Sequence, residues 1–219
     1  MLDAEEGVLR IAPDAATLAA AEQGVVRRRA RRDSAEAAAR NECRLATSER
    51  IEIFANVSAA SEVAGALERG AEGCGLLRTE FLFLDRATPP AVEEQAAAYQ
   101  SIVTAFAGRP VVIRTLDAGS DKPLRYLALP PADNPALGVR GIRAGLWRPE
   151  LLRAQLRAIL SVKPLDACRI LVPMITDAAE VERVRRILEE LSEELRGAVP
   201  ALGMMIETPA AALTSALSR

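Results

Sequence analysis

From Arg50 onward, short runs of β-forming residues alternate five times with helical stretches, and nothing else in the sequence constrains the fold as tightly. Residues 51–57 precede 61–69, 75–83 precede 92–106, 110–117 precede 149–160, 169–174 precede 178–195, and 202–207 precede 210–217. A strand-then-helix repeat of this kind is satisfied by a parallel sheet with helical crossovers, so the sequence predicts an α/β fold. Val111-Val112-Ile113, Ile170-Leu171-Val172 and Met204-Met205-Ile206 are apolar at every position, as strands covered on both faces are.

An open doubly wound sheet and a TIM (β/α)8 barrel both contain such units, and the polar residues favour the barrel. Asn56, Arg78, Arg114 with Asp117, and Glu207 each fall at or near the C-terminal end of a different strand, where a barrel assembles its site. No Gly-x-Gly-x-x-Gly turn or Walker lysine loop follows the first strand. A closed barrel has eight units and only five are found, so residues 48–219 are expected to form a partial barrel. Ile113, Val172 and Met205 are expected to point into its interior.

Ahead of the repeat, the stretch from Ala15 to Ala46 is dense in Ala, Glu and Arg, without proline, and reads as one long helix or two shorter ones. It is taken as a linker helix over 14–47, capped from Pro13-Asp14, with residues 1–13 as a separate short apolar segment. Its run Arg27-Arg28-Arg29-Ala30-Arg31-Arg32 invites a nucleic-acid reading. No aromatic residues interleave to stack bases, and Glu22, Asp33, Glu36 and Glu42 balance the charge, so a solvated helix face is the better reading.

Composition excludes several function classes. A net charge of −2 gives no global attraction to nucleic acid or anionic membrane. No apolar run reaches the roughly 18 residues of a spanning helix, and the acidic start Met1-Leu2-Asp3-Ala4-Glu5-Glu6 is unlike a signal peptide, so a cytoplasmic location is expected. Cys43, Cys74 and Cys168 are far apart and odd in number, which fits buried thiols better than disulfides or a zinc site. Histidine is absent, removing the commonest general base and phosphoryl carrier.

Two arginines stand at equivalent strand ends in apolar surroundings. Arg78, in Leu76-Leu77-Arg78-Thr79-Glu80, is either paired with Glu80 or Asp85 or held for an anionic ligand. Arg114 repeats the situation, and a pair of such arginines fits a ligand with two anionic groups. Glu207 would reach the same rim, as an ion-pair partner or as a ligand for Mg²⁺.

Gly73-Cys74-Gly75-Leu76-Leu77-Arg78-Thr79-Glu80-Phe81-Leu82-Phe83, Arg114-Thr115-Leu116-Asp117, Asp121-Lys122-Pro123-Leu124, Asn134-Pro135-Ala136-Leu137-Gly138 and Glu207-Thr208-Pro209-Ala210-Ala211-Ala212 together resemble enzyme I, the phosphoenolpyruvate-protein phosphotransferase family with its fused multiphosphoryl-transfer forms. The motifs come in the family's order over residues 48–217. The resemblance implies Mg²⁺-dependent transfer of phosphoryl from phosphoenolpyruvate to an enzyme histidine and then to the carrier protein HPr. It assigns Arg78, Arg114 and Arg140 to substrate binding and Glu207 to the metal, and it implies a homodimer through the barrel domain.

It also implies what is missing. Residues 1–13 are similar to the tail of a swivelling phosphohistidine domain, and the family's accepting histidine, second metal carboxylate and proton-donating cysteine have no counterpart in these 219 residues. No catalytic residue is therefore expected in the chain, and alone it is expected to be inactive. Cys74 is expected in the core. Two other readings stay open: a non-catalytic association fragment, and another Mg²⁺-dependent barrel enzyme acting on pyruvate-like acids.

Overall fold

In the computed structural model, residues 2–3, 7–119, 124–134 and 137–214 are described. Asp121-Lys122-Pro123, Pro135-Ala136 and the end of the helix expected over 210–217 lie outside them. The chain divides into two compact units, Met1–Ile51 and Glu52–Arg219.

In the first unit, β1 (Leu2–Asp3) pairs antiparallel with β2 (Val8–Leu9), α1 (Ala15–Ala38) follows, and β3 (Cys43–Arg44) pairs antiparallel with β4 (Arg50–Ile51). Asp14 caps α1 by accepting from Thr17 N at 2.7 Å, and that N–H holds its carboxyl below the usual value. The helix contains no buried residue, and Arg27–Arg32 are all exposed. It stops at Ala38, short of the expected Ala46. Asn41, Cys43 and Thr47 are poor helix formers, and Ser48 takes a left-handed turn (φ +71°) that lets Cys43–Arg44 pair with Arg50–Ile51 instead. Part of the strand expected over 51–57 is thereby diverted into this hairpin.

The second unit carries a five-stranded, wholly parallel sheet in the order β5 (Ala55–Val57), β6 (Cys74–Arg78), β7 (Val111–Arg114), β8 (Cys168–Val172) and β9 (Ala201–Met204). The connecting helices are α2 (Val63–Glu68), α3 (Val92–Ala105), α4 (Ile142–Trp147) with α5 (Pro149–Leu160), and α6 (Ala178–Leu195), with α7 (Pro209–Thr214) after β9. The spatial order never reverses, as it would at the switch point of a doubly wound sheet. Consistent with that, α2 packs on α3, α3 on α5 and α5 on α6, forming one layer over one sheet face.

The core lies between that layer and the sheet. Val57, Cys74, Leu77, Val111, Ile113, Cys168, Ile170 and Val172 meet Tyr99, Ile102, Leu156, Ile159, Val184 and Leu188 in one buried cluster. This corrects the expectation for Ile113 and Val172: both face the helices, and period-2 alternation puts Val112 and Leu171 on the opposite face. Met205 falls one residue past β9 and is half-buried. Runs apolar on both faces carry no parity signal, which is why the expected direction for Ile113 and Val172 was wrong.

Four expected strands end early. The sheet pairing stops at Arg78, Arg114, Val172 and Met204, and the residues that follow turn across the C-terminal edge. Glu80–Leu82 forms a short 3-10 turn there. The excursion between β7 and α4 builds its own small cluster from Phe83, Ala118, Leu124, Leu127 and Ala144, tied down where Tyr126 donates to Phe83 O at 2.9 Å.

Candidate functional site

Parallel pairing places Arg78 and Arg114 side by side, each the last residue of its strand. Arg114 is 7% exposed. Its Nη2 donates to Glu80 Oε1 at 2.7 Å, and its Nη1 lies 3.8 Å from Asp117 Oδ2 and 4.0 Å from Met205 Sδ. The Glu80 side chain is 1% exposed, so this is an ion pair withdrawn from water. Sequence reasoning offered Glu80 as a partner for Arg78; it pairs with Arg114 instead. The turn after β6 carries Glu80 over the neighbouring strand end, away from its own strand's arginine.

Arg78 is half-buried and lies over the Phe81 ring, 5.8 Å from its centroid. Its Nε, like the Nε of Arg114, is buried and finds no acceptor among the described residues. An unsatisfied buried donor costs about 1–3 kcal/mol, so two on adjacent strand ends mark a place where an acceptor-rich ligand would be gained.

Arg140 reaches the same place from the far end of the long excursion. Gly141 N donates to Ala118 O (3.1 Å) and Ile142 N to Pro173 O (3.3 Å), clamping the returning chain between the ends of β7 and β8. Arg140 Nη2 then contacts Asp117 at 3.3 and 3.4 Å, so Asp117 lies between two guanidinium groups. Only glycine fits at position 141: φ is +52°, and a Cβ would come within 2.6 Å of Met174 Cβ and 3.3 Å of Asp117 Oδ1.

Glu207 follows β9 by three residues and is exposed. Its Oε1 accepts from Met174 N at 2.7 Å, while Met205 N donates to Val172 O. Arg114, Asp117 and Arg140 are thus linked by direct contacts, and Met174 and Glu207 by a separate one, at the C-terminal ends of the strands. Asn56 is exposed on edge strand β5, two strands from Arg114. Cys74 is in the core, and burial pushes its thiol and that of Cys168 up to about 11.

Two buried residues behind Arg114, Thr79 and Gln155, escaped sequence reasoning. The available signal was a glutamine on the apolar stripe Leu152, Leu156, Ile159 of α5. Among the described residues no group of three or more Asp, Glu, His or Cys could hold a metal. Magnesium usually takes one or two carboxylates and fills its octahedron with water and phosphate oxygens, so the hard oxygens of Glu207 fit it in chemistry.

The family described as PEP-utilising enzyme, PEP-binding domain, where PEP is phosphoenolpyruvate, matches residues 32–217. The multiphosphoryl transfer protein of Rhodobacter capsulatus is 44% identical over 214 residues, 97% of this chain and 26% of that protein. The phosphoenolpyruvate-protein phosphotransferases of Haemophilus influenzae (43% over 172 residues) and Haloferax volcanii (42% over 171 residues) match 76% and 74% of this chain. The chain spans 30% of the length of each of those two. The chain therefore belongs to the PEP-utilising enzymes, within their PEP-binding domain.

Proposed function

We propose that this chain is the phosphoenolpyruvate-binding part of a phosphotransferase that passes phosphoryl from phosphoenolpyruvate to an enzyme histidine and on to an HPr-like carrier. The observation that carries the reading is the pair of buried guanidinium Nε donors of Arg78 and Arg114, in register and without acceptors among the described residues. Phosphoenolpyruvate presents a phosphate and a carboxylate, and planar guanidinium forks match both. Arg78 and Arg114 grip these groups. Arg140, steered by Asp117, adds a third cation at the same edge.

Phosphoryl transfer asks for positioning and charge neutralisation more than for covalent participation by the protein. Buried arginines held by Glu80 and Asp117 supply a cationic surface that need not reorganise as charge moves towards the leaving enolate oxygen. Glu207 would hold Mg²⁺, which when bound neutralises phosphate oxygens. The accepting imidazole comes from outside these residues, since they contain no histidine. We further read the singly wound sheet as part of a TIM barrel, residues 14–47 as a linker helix and 1–13 as the tail of a phosphohistidine domain. The parent protein is read as a cytoplasmic homodimer.

Calorimetric titration tests the binding role. Phosphoenolpyruvate with Mg²⁺ is expected to give a saturable heat that pyruvate with Mg²⁺ does not match. Equal binding of both would favour an enzyme of pyruvate-like acids, and binding of neither would remove the substrate assignment.

A further inference from the structure

Behind the arginine cluster runs a chain of buried, hydrogen-bonded side chains. Thr79 Oγ1 donates to the Arg114 carbonyl at 2.8 Å. Gln155 Nε2 donates to Thr79 Oγ1 (3.1 Å) and to the Tyr99 hydroxyl (3.0 Å), while its Oε1 accepts from Leu116 N (2.8 Å). Tyr99 in turn donates to Gln95 Oε1 at 3.3 Å, and Gln95 Nε2 to Pro90 O at 3.0 Å. Thr79, Gln95 and Gln155 are each 1% exposed and Tyr99 is 0% exposed.

The directions are forced. Both amide protons of Gln155 are committed to hydroxyl oxygens, and each hydroxyl passes its own proton to a carbonyl. A flipped Gln155 amide would set its NH₂ against the Leu116 N–H and its oxygen against hydroxyls whose protons are already spent. Burial pushes the Tyr99 phenol well above its ordinary value, so it remains a donor. A fully satisfied buried network of this kind selects one arrangement over its neighbours more than it adds stability.

Gln155 therefore holds the two peptide units that flank Thr115, the Arg114 carbonyl through Thr79 and the Leu116 N–H directly. That stretch carries Arg114 at one end and Asp117 at the other. We propose that Gln155, acting with Thr79, is a positioning residue that sets Arg114 and Asp117 for the anionic substrate, so that helix α5 on the outer layer controls the geometry of the binding edge. The ligand in this proposal rests on the phosphoenolpyruvate reading above; the positioning itself does not.

The test uses the full chain with ¹⁵N-labelled arginine, the Arg114 Nε–H resonance being identified by its loss in Arg114→Lys. Gln155→Leu and Thr79→Val are expected to shift or broaden that resonance in folded protein and to weaken phosphoenolpyruvate binding about tenfold or more, since sub-ångström misplacement is costly. Thr79→Ser keeps the hydroxyl and is expected to restore both, which loss of packing alone would not explain. If Gln155→Leu fails to fold, the Thr79 pair decides. An unchanged Arg114 resonance in folded Thr79→Val overturns the proposal, even if binding falls. An altered resonance, restored by Thr79→Ser, in a chain whose wild type binds no phosphoenolpyruvate supports the positioning and instead refutes the substrate.

Discussion

Arg114→Ala is expected to weaken phosphoenolpyruvate binding by about 10- to 100-fold, the scale of losing a hydrogen bond between charged groups. Arg114 is the cation that meets Glu80 and Asp117 while keeping a buried Nε donor for the ligand. Truncation also leaves two carboxylates with side chains 1% and 7% exposed facing a vacated space, so this variant will lose stability as well. Arg114→Lys separates the effects. It keeps the positive charge but cannot present a planar fork to two acceptors, so binding should fall at least about tenfold in a chain that melts close to wild type. Equilibrium dialysis with labelled phosphoenolpyruvate reads the first quantity and thermal unfolding the second. Wild-type affinity in Arg114→Lys would make the residue a structural ion-pair member only.

The largest effect on stability is expected from the other half of that pair. Glu80→Ala removes the close partner of an Arg114 side chain that is only 9% exposed and leaves it Asp117 at 3.8 Å, and breaking a buried pair from one side costs up to about 3–5 kcal/mol. Urea denaturation measures the loss. A second consequence separates this cause from lost packing: an anion that binds beside this arginine should recover part of the stability. Inorganic phosphate should therefore raise the midpoint of Glu80→Ala more than that of the wild type, by linkage. A variant as stable as wild type would mean that Glu80 is replaced by water or another acid without cost.

The sequence carried the α/β class and the polar residues near the strand ends because these rest on periodicity and on polar residues that interrupt apolar runs, although it ran four strands too long. Arg78, Arg114 and Glu207 could be read as one edge for that reason. Arg140 came only from family resemblance, since a residue separated from β7 by a long excursion has no pattern that returns it to Asp117. That Glu80, one of two acids the sequence offered to Arg78, meets Arg114 is a matter of geometry: proximity in sequence favours Arg78, whereas the 3-10 turn at Glu80–Leu82 carries the carboxylate across to Arg114. Ile113 and Val172 were given the wrong face because strands apolar on both sides reveal no alternation. Gln155 was legible in principle, as a lone amide on the apolar stripe of α5, but its partners Thr79, Tyr99 and Leu116 N lie on three other segments and only folding unites them.

The central claim is that the Nε–H groups of Arg78 and Arg114 take the anionic groups of phosphoenolpyruvate, and side-chain NMR of the ¹⁵N-arginine-labelled chain measures it directly. On titration with phosphoenolpyruvate and Mg²⁺, the Arg78 and Arg114 Nε–H resonances should move together and saturate, while those of Arg183 and Arg186 on helix α6 stay in place. Saturable binding that leaves both resonances unmoved would contradict the claim, as would no binding at all by a chain shown to be folded.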